Sequence, residues 1–309
     1  MKFYKPNFWK KKYYNIYSLI LLPISIVIQF LFFIQKGIIS PKKFNIPVIC
    51  VGNIYIGGTG KTPLTLELYN ILKSMNKNPA IVKKFYKNHY DEIELIKQNV
   101  GNLFLNSSRK KAMDEVQNKN FDVAILDDGY QDCSIKKDLK ILCFNEKQLI
   151  GNGHTIPSGP LREKLSSIKK SQIVVINGNE NKNFENKLKK IFKDINIFYS
   201  RYISEIPKEF NNKKFLAFAG IGNPENFFDT LREYGLNVTK SKIFPDHYSY
   251  KKNEIENLLD LANKNKLDLI TTEKDHYRLK KLGFNINYLK IKVQIEKKDK
   301  FEKLIKSYI

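Results

Sequence analysis

Short apolar runs alternate with amphipathic stretches along much of this chain. Strands are predicted at 47–52, 79–83, 122–127, 139–144 and 172–177. Helices are predicted near 62–74, 91–99 and 108–118, where apolar residues recur at helical spacing. Strands separated by helices predict a parallel, doubly wound α/β sheet.

A second series of the same kind follows. Its strands are predicted at 215–219, 267–271 and 286–293, and its helix near 224–234. The polar turn at 207–213 separates the two series, so the sequence predicts a second, smaller α/β domain. The predicted domains are an N-terminal segment 1–45, a first α/β domain 46–200 and a C-terminal domain 201–309.

Residues 16–34 form a run of nineteen positions without a charge. Such a run is about long enough to cross a ~30 Å hydrocarbon layer. However, Lys10 precedes it, Lys36 and Lys42 follow it, and Pro23 interrupts its first half. A membrane span would place one of the two basic flanks outside, against the positive-inside tendency. The pattern favours a pair of embedded or interfacial helices bent at Pro23, with a buried core helix as the alternative.

Three polar residues within this run lie on one stripe of a helix. Ser18, Ser25 and Gln29 are separated by seven and four positions. We expect this stripe to face the rest of the protein. No small-residue cleavage site follows the run, which argues against an export signal.

A glycine-rich loop joins the first predicted strand to the first predicted helix. Its residues are Gly57, Gly58, Thr59, Gly60, Lys61 and Thr62. Glycines let backbone N–H groups turn toward a polyphosphate, and the helix N-terminus favours the anion. The lysine reaches the outer phosphates and the threonine hydroxyl can bind Mg²⁺. Tyr55 stands where the strict phosphate-loop (P-loop) pattern has glycine, so the match is to its core, which predicts a nucleotide-binding site.

The third predicted strand ends in a pair of aspartates, Asp127 and Asp128. In nucleoside triphosphatases, carboxylates at the end of such a strand hold Mg²⁺ or its water shell opposite the phosphate loop. Asp-Asp-Gly is also good turn chemistry. Together with Lys61 and Thr62, the pair favours a metal and nucleotide site at the carboxyl ends of parallel strands.

The formal net charge of this 309-residue chain is +23. Such a charge can attract nucleic acid or an anionic membrane. Only five of the 54 basic residues are arginine, and no aromatic-and-basic recognition motif accompanies them. We therefore predict solvated surface lysines and no nucleic-acid partner. The three cysteines have no C-x-x-C spacing, which favours a reducing, cytoplasmic setting.

Six blocks along the chain resemble one family. They lie at 47–63, 127–131 (DDGYQ), 157–163 (PSGPLRE), 218–224 (FAGIGNP), 244–247 (FPDH) and 271–275 (TTEKD). In this order they are similar to the tetraacyldisaccharide 4′-kinases, the lipid A 4′-kinases of Gram-negative bacteria. The resemblance implies two α/β domains with the active site in the cleft between them.

The resemblance also implies a reaction, which is transfer of the ATP γ-phosphate to the 4′-hydroxyl of a lipid A disaccharide 1-phosphate, giving lipid IVA. The expected location is the cytoplasmic face of the inner membrane, with membrane lipids as partners and ATP and Mg²⁺ as cofactors. The residues implied at the phosphates and the metal are Lys61, Thr62, Asp127, Asp128, Arg162 and Glu163. Asp91, the counterpart of a Gly-Asp-Glu aspartate, and His247 would activate the sugar hydroxyl.

Two departures from the family pattern affect these assignments. Family members usually have Ser-Arg-Gly-Tyr after the second strand, whereas residues 83–86 read KKFY and the connection to Asp91 is shortened. Asp132 replaces the usual histidine after the Asp-Asp-Gly block. Asp91 is alternatively a first-turn helix carboxylate, and His247 is alternatively a loop histidine.

A membrane-associated P-loop NTPase with a targeting or switch role is the alternative function. It would share the phosphate loop and the N-terminal segment. A GTPase of that kind carries Asn/Thr-Lys-x-Asp for guanine, but in the TTEKD block the lysine comes one place late. The kinase is therefore the favoured function.

Overall fold

The structure, a computed structural model, describes residues 5–10, 15–87 and 89–309. Contacts within the chain divide it into two compact units. The larger unit comprises Lys5–Phe85, Val100–Arg201 and Val293–Ile309. The smaller unit comprises, among described residues, Tyr86–Asn99 and Tyr202–Lys292.

These units differ from the predicted domains in their borders. The residues of Tyr86–Asn99 belong to the smaller unit, although they lie inside the predicted domain 46–200. Val293–Ile309 returns to the larger unit. The predicted segment 1–45, in which 1–4 and 11–14 lie outside the described residues, contributes its described part to the larger unit. A linear division misses these exchanges because the chain leaves each unit and comes back.

Strands and helices alternate along most of the chain, which confirms the predicted α/β class. The strands are β1 (Val48–Gly52), β2 (Pro79–Lys84), β3 (Leu103–Asn106), β4 (Val123–Asp127), β5 (Leu139–Asn145), β6 (Ile173–Asn177), β7 (Asn196–Ile203), β8 (Lys214–Ala219), β9 (Asn237–Ile243), β10 (Asp268–Thr272), β11 (Asn287–Leu289) and β12 (Lys292–Ile295). The α-helices are α1 (Ile16–Ile38), α2 (Lys61–Ser74), α3 (Tyr90–Asn99), α4 (Arg109–Gln117), α5 (Lys182–Ile191), α6 (Pro224–Glu233), α7 (Lys252–Lys264), α8 (Glu273–Lys280) and α9 (Lys298–Lys306).

The larger unit is built on a sheet whose described strands have the order β12-β7-β6-β5-β1-β4-β2-β3. Strands β1 to β7 pair in parallel. Strands β1, β4 and β6 are buried along their whole length, as a parallel sheet covered on both faces requires. The strand order reverses at β1, and ligands of open α/β sheets bind at such a reversal.

The smaller unit has its own parallel sheet, with its described strands in the order β11-β10-β8-β9. Aromatic side chains fill both of its faces: Phe218 and Tyr250 belong to one core cluster, and Phe215 and Phe228 to the other. Helix α3 packs against α8 in this unit. This packing places the acidic first turn of α3 beside the last of the six family blocks.

The predicted strand at 286–293 is wrong in its extent. The structure forms two short strands there, β11 and β12, and each belongs to a different sheet. Strands β3, β7 and β9 are additions to the predicted set. Strand β9 is exposed along most of its length, so no apolar run marks it in the sequence.

Helix α1 runs without a break from Ile16 to Ile38 and contains Pro23 in its interior. The predicted pair of helices bent at Pro23 is therefore wrong. Proline removes one backbone hydrogen bond from a helix, but α1 continues through this position, and its side chains contact the rest of the protein on both sides of it. Within the described chain, α1 is the one helix long and apolar enough to cross a membrane, by length and composition.

The polar stripe of α1 faces the protein, as predicted. Ser18 and Ser25 are buried. The Ser18 hydroxyl donates to the carbonyl oxygen of Ser158 at 2.9 Å, and the Ser25 hydroxyl donates to that of Thr155 at 2.9 Å. The opposite face of α1 is apolar and exposed; the Phe33 side chain, for example, is 75% exposed. This exposure excludes the alternative of a buried core helix.

Candidate active site

The phosphate loop enters α2 through backbone that glycine adopts easily. The φ angles of Gly57, Gly58 and Gly60 are 71°, 65° and 87°, in the left-handed region. Gly60 caps α2, so Lys61 and Thr62 are the first two residues of the helix. The N–H groups of a first helical turn lack partners within the helix, and with the helix dipole they favour an anion.

Two contacts tie this loop to its surroundings. Thr59 is buried, and its hydroxyl accepts from the Asn53 amide nitrogen at 2.8 Å. The backbone N–H of Ile56 donates to the carbonyl oxygen of Pro160 at 3.0 Å. The loop is thereby joined to the segment that carries Arg162.

Asp127 lies at the end of β4 and is fully buried. Its carboxylate accepts from the Thr65 hydroxyl at 3.1 Å and from the Thr62 hydroxyl at 3.5 Å. The ammonium of Lys83, a side chain that is 3% exposed, lies 2.5 Å from Oδ2. The register of β2 and β4 pairs Lys83 with Asp127. In the sequence Lys83 stands out only as a departure from the family pattern; a lysine at the end of an otherwise apolar strand is the signal that could identify it.

Asp128 has a left-handed backbone, with φ of 54°. Its carboxylate lies 3.0 Å from the guanidinium of Arg162 and 3.7 Å from the ammonium of Lys61. Arg109, which no sequence motif singles out, donates to the carbonyl oxygens of Asp127 and Asp128 at 3.3 and 2.6 Å. The structure thus brings Lys61, Asp128 and Arg162 together, with two cations beside one carboxylate next to the phosphate loop.

Glu163 has a different partner. Its Oε2 lies 2.7 Å from the ammonium of Lys36 in α1, and its Oε1 is buried without a hydrogen-bond donor. About two turns earlier in α1, the Gln29 side chain donates to the carbonyl oxygen of Arg162 at 3.2 Å. The apolar N-terminal helix therefore contacts both residues of the Arg-Glu pair.

The donors in this unit fit a hard divalent cation, which prefers oxygen ligands. Thr62 offers a hydroxyl, Asp128 a partly exposed carboxylate and Glu163 an unpaired carboxylate oxygen. Asp127, with both oxygens engaged, fits better as the acceptor that orients Thr62. Among the described residues, no three or more His, Cys, Asp or Glu side chains form a metal cluster. The Mg²⁺ assignment stays a prediction.

The smaller unit brings Asp91 and His247 together. Asp91 lies in the first turn of α3 and is 1% exposed, and its Oδ1 is 3.4 Å from His247 Nδ1. The His89 ring stacks on the His247 ring, with centroids 4.4 Å apart. Glu92, the neighbouring carboxylate, lies 2.7 Å from the Lys274 ammonium. The predicted pairing of Asp91 with His247 is present as geometry, and its catalytic role stays a prediction.

The charges around Asp91 decide its protonation. Burial raises the pKa of the Asp91 carboxyl, but the imidazole of His247 and the guanidinium of Arg278 act in the opposite sense and lower the pKa to about 2. Asp91 is therefore ionised at neutral pH and can accept a proton. Arg278, which no sequence argument selected, is the nearest permanent cation, with one nitrogen 2.6 Å from Asp91 Oδ2.

A parallel α/β sheet with a phosphate loop where its strand order reverses defines a P-loop nucleotide-binding protein, and the aspartates beyond the neighbouring strand are typical of one that transfers phosphate. A family model described as Tetraacyldisaccharide-1-P 4′-kinase matches residues 17–309. A tetraacyldisaccharide 4′-kinase of Pelagibacter ubique is 42% identical over 313 residues, covering 99% of this chain and 98% of that protein. The chain belongs to the tetraacyldisaccharide 4′-kinase family.

A second relative and a solved structure are consistent with this family membership. A tetraacyldisaccharide 4′-kinase of Rickettsia felis is 34% identical over 315 residues, covering 97% of this chain and 95% of that protein. A crystal structure of an "apo" form of LpxK from Aquifex aeolicus in complex with ATP superimposes with a TM-score of 0.71 and 26% identity, covering 94% of this chain and 99% of that one. The resemblance, the P-loop α/β fold and the lipid A 4′-kinase function predicted from the sequence are confirmed.

Proposed function

We propose that this chain transfers the γ-phosphate of ATP to the 4′-hydroxyl of tetraacyldisaccharide 1-phosphate, forming lipid IVA, at the cytoplasmic face of the inner membrane. The observation that carries the proposal is the phosphate loop of Gly57–Thr62 with Lys61, Asp128 and Arg162 beside it, in a chain that matches the kinase family from residue 17 to its last residue. The hydroxyl oxygen forms a bond to the γ-phosphorus, and the bond from that phosphorus to the bridging oxygen of ADP breaks.

The larger unit would bind the nucleotide. The loop N–H groups and Lys61 hold the outer phosphates, and Arg162 supplies a second cation near them. Mg²⁺ would be held by Thr62, Asp128 and Glu163, with Asp127 fixing the Thr62 hydroxyl, and when bound it would neutralise charge on the phosphates. Phosphoryl transfer passes through a loose transition state, so positioning and charge neutralisation are the main tasks of these residues.

The smaller unit would serve the acceptor. Asp91 takes the proton of the attacking hydroxyl, and His247 orients that hydroxyl or the carboxylate. A carboxylate of low pKa is a weak base, but in a loose transition state the hydroxyl loses its proton late, so a fixed acceptor is sufficient. Variants in each unit test the two roles separately.

Helix α1 would hold the enzyme at the membrane surface where its lipid substrate resides. Its exposed face carries large apolar side chains, among them Ile20 at 66% and Phe30 at 60% exposure. A helix that leaves a broad apolar face exposed can lie in the interface of a bilayer, with that face toward the acyl chains. We propose that α1 does so with its Ser18–Ser25 stripe toward the protein.

The test is incubation of the purified protein with γ-labelled ATP, Mg²⁺ and the disaccharide lipid in detergent micelles. We expect label in the lipid only when all three are present, and loss of that label in the variants Lys61→Ala and Asp91→Asn. ATP hydrolysis that does not depend on the lipid, without labelled lipid, would instead favour the switch or targeting NTPase.

A further inference from the structure

Arg278 joins the predicted acceptor residues to the core of the smaller unit. It lies in α8, and its side chain is 11% exposed. One terminal nitrogen donates to Asp91 Oδ2 at 2.6 Å. The other donates to Asp275 Oδ1 at 2.6 Å and to the carbonyl oxygen of Gly220 at 2.7 Å. The planar guanidinium is thus fixed by three acceptors, which is the geometry for which arginine is suited.

The anchor of Arg278 is itself rigid. Asp275 is fully buried, and its Oδ2 accepts from the Gly220 N–H at 2.9 Å and from the Thr272 hydroxyl at 2.8 Å. The Tyr250 hydroxyl donates to its Oδ1 at 3.0 Å. A Cβ at Gly220 would lie 2.8 Å from the Tyr250 hydroxyl, so a side chain there would force this network apart. Two family blocks to which no site residue was assigned from the sequence, FAGIGNP and TTEKD, meet in this anchor.

The two oxygens of Asp91 are held differently. Oδ2 receives the short bond from Arg278. Oδ1 is buried, accepts no hydrogen bond of good geometry among the described residues, and lies 3.4 Å from His247 Nδ1. The Arg278 side chain also approaches His247 Nδ1, at 3.4 Å. An unpaired buried carboxylate oxygen is costly unless another donor comes to it.

We infer that Arg278 is a positioning residue for phosphoryl transfer: it binds Asp91 Oδ2, and so orients Oδ1 toward the hydroxyl that is to be phosphorylated. The inference rests on the proposed role of Asp91 as proton acceptor. Fixing a carboxylate before the substrate arrives removes the need to order it during the reaction. Because Asp275 holds the Arg278 guanidinium in place, the guanidinium does not move with the Asp91 carboxylate when that carboxylate rotates.

Arg278 has two opposite effects on Asp91: it orients the carboxylate, and it lowers the basicity of that carboxylate. The positive charge of Arg278 weakens Asp91 as a base, so its removal should raise basicity while it loosens the carboxylate. The other charged groups around the pair are Glu92 and His89 of the α3 segment, Lys274 and Asp275 of α8, and Asp246 beside His247. None of these groups is itself changed by an Arg278 substitution, so a shift of the acid limb along the pH axis reports the lost positive charge and a fall in the limiting kcat reports the lost orientation.

The experiment compares Arg278→Met, Arg278→Lys and the control Arg232→Met in the lipid-dependent transfer assay, as a function of pH. Arg232 lies in α6, with its side chain 52% exposed, and pairs with Asp229 on the surface.

For Arg278→Met we expect kcat to fall roughly 10- to 100-fold with KM for ATP unchanged. The acid limb of the kcat profile should also move to higher pH by about one unit or more. Arg278→Lys should keep the acid limb and recover only part of kcat, because one ammonium cannot hold both carboxylates in a plane. Arg232→Met should match the unaltered enzyme.

The outcomes separate this inference from the proposed function. If Asp91→Asn abolishes transfer while Arg278→Met keeps both kcat and the acid limb, Arg278 has no positioning role and the function of Asp91 stands. If Asp91→Asn transfers phosphate at the normal rate, the role of Asp91 fails and the inference with it. Should circular dichroism show Arg278→Met unfolded, Arg278→Lys decides: reduced kcat with an unmoved acid limb supports positioning, and full kcat overturns it.

Discussion

Lys61 is placed for electrostatics more than for packing. Its side chain remains partly exposed, with the Asp128 carboxylate 3.7 Å from its ammonium. Asp128 in turn adopts a left-handed backbone, which asparagine also tolerates. Both side chains can therefore be altered with little effect on the core, and their loss should affect the charge that develops on the transferred phosphate.

For Lys61→Ala and Asp128→Asn we expect lipid-dependent transfer to fall roughly 100- to 1,000-fold, the range found when one preorganised electrostatic contact is removed. The melting temperature should stay within a few degrees of the unaltered protein. Lys189→Ala, at an exposed lysine of α5 that pairs with Glu185, is the matched control and should keep full activity. Normal turnover by either site variant would remove the phosphate-loop assignment.

Lys83 and Asp127 form an ion pair in which both side chains are buried, unlike the partly exposed pair of Lys61 and Asp128. Removing one partner of a buried ion pair leaves an uncompensated charge, so Lys83→Met should lower the free energy of unfolding by about 3–5 kcal/mol. The double variant Lys83→Met/Asp127→Asn should recover part of this loss, because the buried charge is then gone as well. Urea unfolding of the three proteins measures the difference. A single variant as stable as the unaltered protein would show that Lys83 is not paired.

At the scale of elements, α1 both offers an apolar surface and supports the segment that carries two proposed site residues, Arg162 and Glu163. From Ser18 to Lys36 its polar stripe extends for roughly 27 Å at 1.5 Å per residue. Along that length it contacts the segment from Thr155 to Glu163. The helix therefore positions the backbone of Arg162 and the side chain of Glu163 in addition to offering an apolar face.

The contact at the end of this stripe gives a prediction. Lys36→Met should release Glu163 and lower kcat roughly tenfold, the value of one charge-assisted hydrogen bond. Binding to liposomes of anionic and zwitterionic lipid should be unchanged, because the apolar face is intact. Lys43→Met, at an exposed lysine after the helix, is the control for loss of one charge. If Lys36→Met weakens membrane binding and leaves kcat alone, Lys36 serves the membrane and not the site.

At the scale of the whole molecule, the contacts of α1 bear on how the chain meets the membrane. Both ends of the helix contact the unit that carries the phosphate loop, through Ser18 at one end and Lys36 at the other. A helix that crossed the ~30 Å hydrocarbon layer would carry one of these ends, with the protein residue that it contacts, to the far side. The polar stripe and the basic flanks together favour a helix that lies in one leaflet.

We therefore expect both flanks of α1 on the cytoplasmic side. In a Cys133→Ser background, single cysteines at positions 10 and 43 should resist a membrane-impermeant thiol reagent in intact cells and react after lysis. Cys50 and Cys143 are buried, and burial raises the pKa of both thiols, so they should remain silent. Labelling of position 10 alone in intact cells would mean that α1 spans the membrane.

The features that the sequence predicted are those encoded locally. The conformation of the loop Gly57–Thr62 depends only on its own glycines and on the helix that follows. An apolar run in the sequence predicts strand β4 and so places Asp127 at its end. The stripe of Ser18, Ser25 and Gln29 follows from helical spacing. The pairing of Asp91 with His247 came from the family resemblance, since nothing local connects residues so far apart in sequence.

Only the tertiary structure decided which distant charges meet. Lys83 reaches Asp127 through the register of two strands, Lys36 reaches Glu163 through the docking of α1, and Arg278 reaches Asp91 because α3 packs in the smaller unit against α8. The continuous course of α1 through Pro23 was decided in the same way. The physical reason is that periodicity and turn chemistry act over a few residues, whereas the partner of a buried charge depends on how whole elements are packed.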